Sequence, residues 1–234
     1  MRMSGPSLAK VMGPLTCTCG MPRPKIQVAL DTTCISEALL IARSMVDGGA
    51  DWIEAGTPLI KSQGMEAVRR LAEMCGERAV VADMKTMDAG RLEAEMAIDA
   101  GAKVVTVCGL ADDVTISEAV KVAELKGASV MVDLINTRDT LTRALEIQSL
   151  GAHYLYIHSG LDAQTRDGSI AGEDELMRRL SSALRIPVGA GGGITAANAR
   201  RAVAAGASIL VVGSFITKSK DPAAALSSIL DAVG

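Results

Sequence analysis

The sequence predicts a single α/β domain closed as a (β/α)8 TIM barrel, and three observations predict it. From Lys25 onward, short apolar runs alternate eight times with stretches of helical length. Gly-Ala pairs recur just before strands, where a glycine supplies the left-handed stop of the preceding helix. The composition is 49% hydrophobic but only 2% aromatic, an aliphatic interior suited to parallel strands covered on both faces. A chain of 234 residues is long enough for one such barrel.

The runs read as strands are IQVAL (26–30), WIEAG (52–56), AVVAD (79–83), KVVTV (103–107), SVMVD (129–133), YLYI (154–157), IPVGA (186–190) and SILVV (208–212). Helical spacing of apolar residues follows at 36–46, 89–100, 112–125, 140–150 and 196–205, and Asp221-Pro222 opens the last helix. The pairs at Gly49, Gly101, Gly127, Gly151 and Gly206 mark the same helix-to-strand turn in successive units. An open doubly wound sheet shares this alternation and is the alternative architecture.

Residues 1–24 precede the repeat and read as a flexible N-terminal extension, with 25–234 as the catalytic barrel. Cys17 and Cys19 form a C-x-C with no second pair and no nearby histidine, a weak metal signal. Five cysteines, an odd number, argue against a disulfide framework. No apolar run approaches the length of a bilayer span and no signal-peptide core is visible, so a cytoplasmic protein is expected. A net charge of -3 gives no basic footprint for nucleic acid.

In such barrels chemistry sits at the carboxyl ends of the strands. Asp31, Glu54, Asp83, Asp133 and His158 all fall there, on five different strands. One strand-end acid is usually a turn former or helix cap, and Asp112 and Asp139 read that way. Five aimed at one mouth are harder to dismiss. Crowded carboxylates need a compensating cation. Lys85 and a Mg2+ ion, with Mn2+ as the alternative, would supply it, since oxygen-only ligands suit a hard cation. In an extended chain Asp83 and Lys85 point to the same side. Asp88 lies at the start of the next helix, where the ordinary role is an N-cap.

The last two units carry glycines instead. Gly191-Gly192-Gly193 follows the seventh strand and Gly213-Ser214 the eighth, where barrels commonly bind phosphate through backbone N–H groups and a helix N-terminus. Ile194 breaks any G-x-G-x-x-G dinucleotide pattern. His153 opens the sixth strand, on the stability face, and reads as structural. His158 closes it, where an imidazole can pass a proton.

Together the strings QVALD, IEAGTPLI, VADMKTMDAG, VTVCG, IHSGLDAQ, GGGI and VGSFIT resemble the orotidine 5′-monophosphate decarboxylase superfamily, and within it the hexulose-phosphate synthase branch. Asp83-x-Lys85-x-x-Asp88 is similar to that superfamily's D-x-K-x-x-D. The resemblance implies Glu54 and Asp83 as Mg2+ ligands, and Asp31 and Lys85 as groups that bind substrate oxygens and stabilise an enediolate. It implies His158 as a proton shuttle and Gly192, Gly193, Gly213 and Ser214 as the phosphate loops. Asp88 is implied to reach across a homodimer interface into the partner's site. The implied reaction is aldol addition of formaldehyde to D-ribulose 5-phosphate. Keto-gulonate 6-phosphate decarboxylation is the alternative, disfavoured because this chain has Ser159-Gly160-Leu161 and Ser214 where those enzymes tend to carry arginines. A non-catalytic sugar-phosphate sensor is the alternative of another class, disfavoured by the presence of both metal-type carboxylates.

Overall fold

The protein is described from a computed structural model that covers residues 23–160, 162 and 174–234. The C-x-C of Cys17 and Cys19 and most of the extension lie outside these residues, as do Leu161, Ala163 and Gln164 of the IHSGLDAQ string.

Eight parallel strands close in sequence order, β1 pairing with both β2 and β8. They are β1 (Lys25–Leu30), β2 (Trp52–Ala55), β3 (Ala79–Thr86), β4 (Val104–Cys108), β5 (Ser129–Asp133), β6 (Tyr154–His158), β7 (Val188–Gly191) and β8 (Ile209–Val212). Around them lie α1 (Ile35–Asp47), α2 (Thr57–Gln63), α3 (Met65–Cys75), α4 (Gly90–Asp99), α5 (Asp113–Leu125), α6 (Thr140–Ser149), α7 (Asp174–Ala183), α8 (Ala196–Ala204), α9 (Ser214–Thr217) and α10 (Pro222–Val233). The fold is a (β/α)8 TIM barrel, and closure rules out the open sheet.

The glycines of the Gly-Ala turns behave as their sequence suggests: Gly49, Gly101, Gly127, Gly151 and Gly206 all have positive φ. Asp112, Asp139 and Asp221 cap α5, α6 and α10, their carboxylates accepting from Val114, Thr142 and Ala224 N–H. His153 Nδ1 accepts from Val130 N–H at the foot of the barrel, a structural bond.

Two cores result from the period-2 alternation of the strands. Outward residues such as Ile53, Val105, Val132 and Leu155 pack beneath the helices in the large shell. Inward residues, among them Ala29, Trp52, Val81, Val104, Met131, Tyr156 and Val211, fill the barrel itself. The chain has only four aromatic rings. Three of them, Trp52, Tyr154 and Tyr156, belong to this interior, with Trp52 and Tyr154 meeting edge to face at 5.2 Å. Continuing each inward row one step upward gives Asp31, Glu54, Asp83, Thr106, Asp133, His158, Gly191 and Gly213. That row is the mouth.

The structure departs from the sequence reading in four places. β3 runs on to Thr86, with a register shift between Ala82 and Thr86. β7 starts at Val188, because Pro187 cannot donate to the ladder. The connection between β2 and β3 holds two helices, and α7 precedes β7. Both α3 and α7 carry apolar stripes that were legible but not singled out.

Helices α4 and α5 approach closely because Gly90 has no side chain: a Cβ there would lie 2.0 Å from the Thr115 carbonyl oxygen. Gly90→Ala is therefore expected to destabilise the fold by about 1–3 kcal/mol or more through overpacking. Gly127→Ala, which meets nothing within 4 Å but has φ +68°, should cost only about 1 kcal/mol. Urea unfolding of both variants tests the order, and a Gly90→Ala variant as stable as wild type would contradict this packing.

Candidate active site

A pocket of about 230 Å³ opens at the carboxyl ends of the strands. Asp31, Glu54, Asp83, Lys85, His158, Gly192, Gly193, Gly213 and Ser214 all line it, so the sequence-selected residues converge, with one exception. Asp88 does not line the pocket of its own chain. It is exposed and accepts the Ala89 N–H at 2.7 Å, while Ala89, at φ +53°, occupies the N-cap of α4. Asp88 instead borders a shallow surface pocket with Leu92 and Val114.

Lys85 organises the site. Its Nζ lies 2.6 Å from Asp83 Oδ2 and 3.3 Å from Asp133 Oδ2. Asp83 and Lys85 do share a side, but not because the chain is extended. Lys85 has φ +47°, a left-handed conformation that costs a non-glycine residue on the order of 1–3 kcal/mol. The bulge is held by Thr106 Oγ1, which accepts the Lys85 N–H at 3.0 Å, and by the Cys108 thiol donating to the Lys85 carbonyl at 3.3 Å. Burial alone would lower the Lys85 pKa, but Asp83 and Asp133 override it and the ammonium is held firmly charged. The Cys108 thiol is pushed up to about 11, chiefly by burial, so it is inert.

Asp83 is buried and engaged on both oxygens. Thr106 Oγ1 lies 2.7 Å from Oδ1, and Thr57 Oγ1 lies 2.7 Å from Oδ2. Burial acts to raise its pKa, yet the Lys85 charge and these hydrogen bonds carry it below the ordinary carboxylate range. Glu54 has the opposite fate. Burial, then the charges of Asp83 and Asp31, push its carboxyl well above the ordinary range, and Lys85 and a 2.5 Å bond from Gln27 Nε2 only partly offset them. At the rim, Asp31 is also raised, by desolvation first and Asp83 second.

Asp133, fully buried, accepts the Ile135 N–H through Oδ1 and meets His158 Nδ1 through Oδ2 at 2.8 Å. A carboxylate on Nδ1 fixes the ring and leaves Nε2 free for chemistry. On the opposite side, Gly192 and Gly193 have φ +97° and +83°. A Cβ at Gly192 would lie 2.3 Å from the Ser159 carbonyl oxygen, so only glycine lets this loop close over the pocket.

Sequence reasoning noted Asp133 but assigned it no role, and missed Gln27, Thr57, Thr106 and Tyr156. For three of them a signal existed: Gln27, Thr106 and Tyr156 are polar residues at inward positions of otherwise apolar strands.

Glu54 and Asp83, on adjacent strands, could hold a divalent cation. The mouth carries four carboxylates, and Lys85 is the only ammonium among the described residues lining the pocket. This surplus and the oxygen-only donors fit Mg2+ or Mn2+. No group of three or more His, Cys, Asp or Glu side chains among the described residues is disposed to hold a metal. Water or substrate oxygens would have to complete the coordination.

Residues 24–229 match the model of the orotidine 5′-phosphate decarboxylase / HUMPS family. The chain belongs to that family. It is 40% identical to the 3-hexulose-6-phosphate synthase of Mycobacterium gastri over 211 residues, covering 89% of this chain and 99% of that one. A crystal structure of 3-hexulose-6-phosphate synthase superposes with a TM-score of 0.85 at 40% identity, over 90% of this chain and 100% of that one. The 3-keto-L-gulonate-6-phosphate decarboxylase of Vibrio cholerae is more distant, with a TM-score of 0.81 and 27% identity over 91% and 98% of the two chains.

The raised Glu54 pKa sets a pH dependence for the metal-free protein. A group whose folded pKa exceeds its unfolded value, here about 4.5, favours folding below that value. Its contribution is lost as pH rises towards the folded pKa. Glu54→Gln removes this loss. In chelator, the melting temperature of the variant relative to wild type should therefore climb as pH rises above about 4.5. A flat or falling difference would contradict the assigned shift.

Proposed function

We propose that this protein catalyses the Mg2+-dependent, reversible aldol addition of formaldehyde to D-ribulose 5-phosphate, giving 3-hexulose 6-phosphate. The observation that carries the reading is the Asp83–Lys85–Asp133–His158 chain of contacts facing the glycine loops across one pocket. The 40% identity to a 3-hexulose-6-phosphate synthase, against 27% to the keto-gulonate decarboxylase, favours the aldol reaction over decarboxylation.

The backbone at Gly192, Gly193, Gly213 and Ser214 takes the phosphate, leaving the keto end of the sugar beside Lys85. Loss of the C1 proton produces an enediolate, whose charge the Lys85 ammonium meets at a preorganised position. The C1 carbon then attacks formaldehyde, forming the new carbon–carbon bond. The formaldehyde oxygen becomes an alkoxide and takes a proton. His158, held through Nδ1 by Asp133, relays protons from Nε2. Asp31 binds a substrate hydroxyl at the rim. A divalent cation on Glu54 and Asp83 supplies Lewis acidity towards the substrate oxygens.

A homodimer with shared sites belongs to the same proposal. Met87, Leu92, Met96 and Val114 are exposed apolar side chains near Asp88, a surface that a second copy would cover. Docked there, Asp88 would enter the partner's pocket. A cytoplasmic location suits a phosphorylated substrate, and no helix among the described residues is long and apolar enough to cross a membrane.

Formaldehyde consumption with D-ribulose 5-phosphate and Mg2+ tests the reading. Wild type should consume it, and chelator or Asp83→Ala should abolish consumption. Mixing Asp83→Ala with Asp88→Ala should restore activity, up to about a quarter of wild type, because half the heterodimer's sites are intact. Folded protein without consumption but with CO2 release from a 3-keto sugar-acid phosphate would transfer the assignment to the decarboxylase. No rescue on mixing would remove the shared-site dimer.

A further inference from the structure

Tyr156 is a polar residue of the barrel interior, in a cluster with the apolar Ala29, Val81, Met131 and Val211. It lies two residues below His158 on β6, so both side chains point inward. The Tyr156 ring stacks on the His158 imidazole, with centroids 4.8 Å apart and planes inclined by 23°. The ring is only 6% exposed, yet the residue lines the active-site pocket. The phenol therefore tilts upward to the level of the mouth.

Gly191 on β7 makes this tilt possible. The residue is paired in register with His158, and a Cβ built on it would lie 2.2 Å from the Tyr156 hydroxyl oxygen. Gly191 has no positive φ, so the glycine is required for space and not for backbone conformation. A tyrosine and a glycine on adjacent strands thus occupy one volume jointly. Among the described residues the hydroxyl finds no hydrogen-bond partner, and it is not one of the fully enclosed orphan groups. A polar atom on an otherwise buried ring that opens only towards the pocket is placed for a ligand.

We infer that the Tyr156 hydroxyl, seated over Gly191, donates a hydrogen bond to an oxygen of the bound sugar phosphate, and so helps select the substrate. Gly191 directly precedes the Gly192-Gly193 phosphate loop, and Lys85 marks the reacting end. The oxygen contacted is thus a hydroxyl of the carbon chain between the phosphate and the reacting carbons. Burial and the surrounding carboxylates keep the phenol protonated, as a donor needs. This inference rests on the sugar-phosphate site proposed above.

The test uses full-length protein with Mg2+ and D-ribulose 5-phosphate. Calorimetric titration of D-ribulose 5-phosphate without formaldehyde reports binding without any turnover. Tyr156→Phe keeps the ring and its stacking. It should weaken D-ribulose 5-phosphate binding about tenfold, equivalent to ~1.4 kcal/mol. The kcat/KM for that substrate should fall by a similar factor, with the KM for formaldehyde and the melting temperature unchanged. Gly191→Ala, which displaces the phenol, should lose at least as much. If that variant fails to fold, Tyr156→Phe decides alone. Wild-type Kd and kcat/KM in Tyr156→Phe would overturn the inference, as would wild-type binding by folded Gly191→Ala. Should wild type bind D-ribulose 5-phosphate but consume no formaldehyde, the aldol reading falls, and a weakened Tyr156→Phe would still support the hydroxyl contact. Absence of any wild-type binding would remove both.

Discussion

Four carboxylates and one half-buried ammonium share the mouth of this barrel, and the rest of the site follows from that imbalance. Lys85 lies between Asp83 and Asp133 and keeps its charge despite burial. Its partners are thereby fixed: Asp83 is held ionised, and Asp133 is left to orient His158. One cation cannot serve every acid. Glu54, with only Gln27 donating to it among the described residues, bears the remainder as a raised pKa. An arrangement of this kind stores electrostatic strain that a divalent cation and an electron-rich intermediate can both relieve.

The barrel makes such crowding possible by simple geometry. Every strand sends alternate residues inward, and parallel closure brings the last inward residue of each strand to the same ring. Below that ring, packed aliphatic and aromatic side chains exclude water and strengthen every interaction above them. The one irregularity in the ladder is the bulge after Ala82, which places Lys85 in a left-handed backbone. A regular strand would not aim the ammonium at both aspartates. Thr106 stabilises the bulge from two sides, accepting the Lys85 N–H and donating to Asp83.

Much of this was legible in the sequence, because strand alternation and glycine stops are local signals. All eight strand runs, the five glycine turns and the aspartate caps lie where their residue types place them. The ring at the mouth was legible for its charged members, which stand out at strand ends. The neutral Thr106 of that ring, and Gln27 and Tyr156 below it, were not, since a polar residue inside a strand acquires meaning only when inward and outward faces are known. The bulge was equally hidden: nothing in VADMKT says that Lys85 leaves the extended region. Asp88 illustrates the remaining limit. Its place in the motif is local, but any role it has depends on a second copy of the chain.

Neutralising the ionised carboxylates of Glu54 and Asp83 is the role proposed for a divalent cation. Calorimetric titration of Mg2+ into metal-free protein, in two buffers of different ionisation enthalpy, addresses it most directly. Binding should release more protons as pH falls into the range where the raised Glu54 carboxyl is protonated, since Glu54 must ionise to ligate, and Glu54→Gln should abolish that release. Binding that is independent of buffer, or equally strong in Glu54→Gln, would contradict the account.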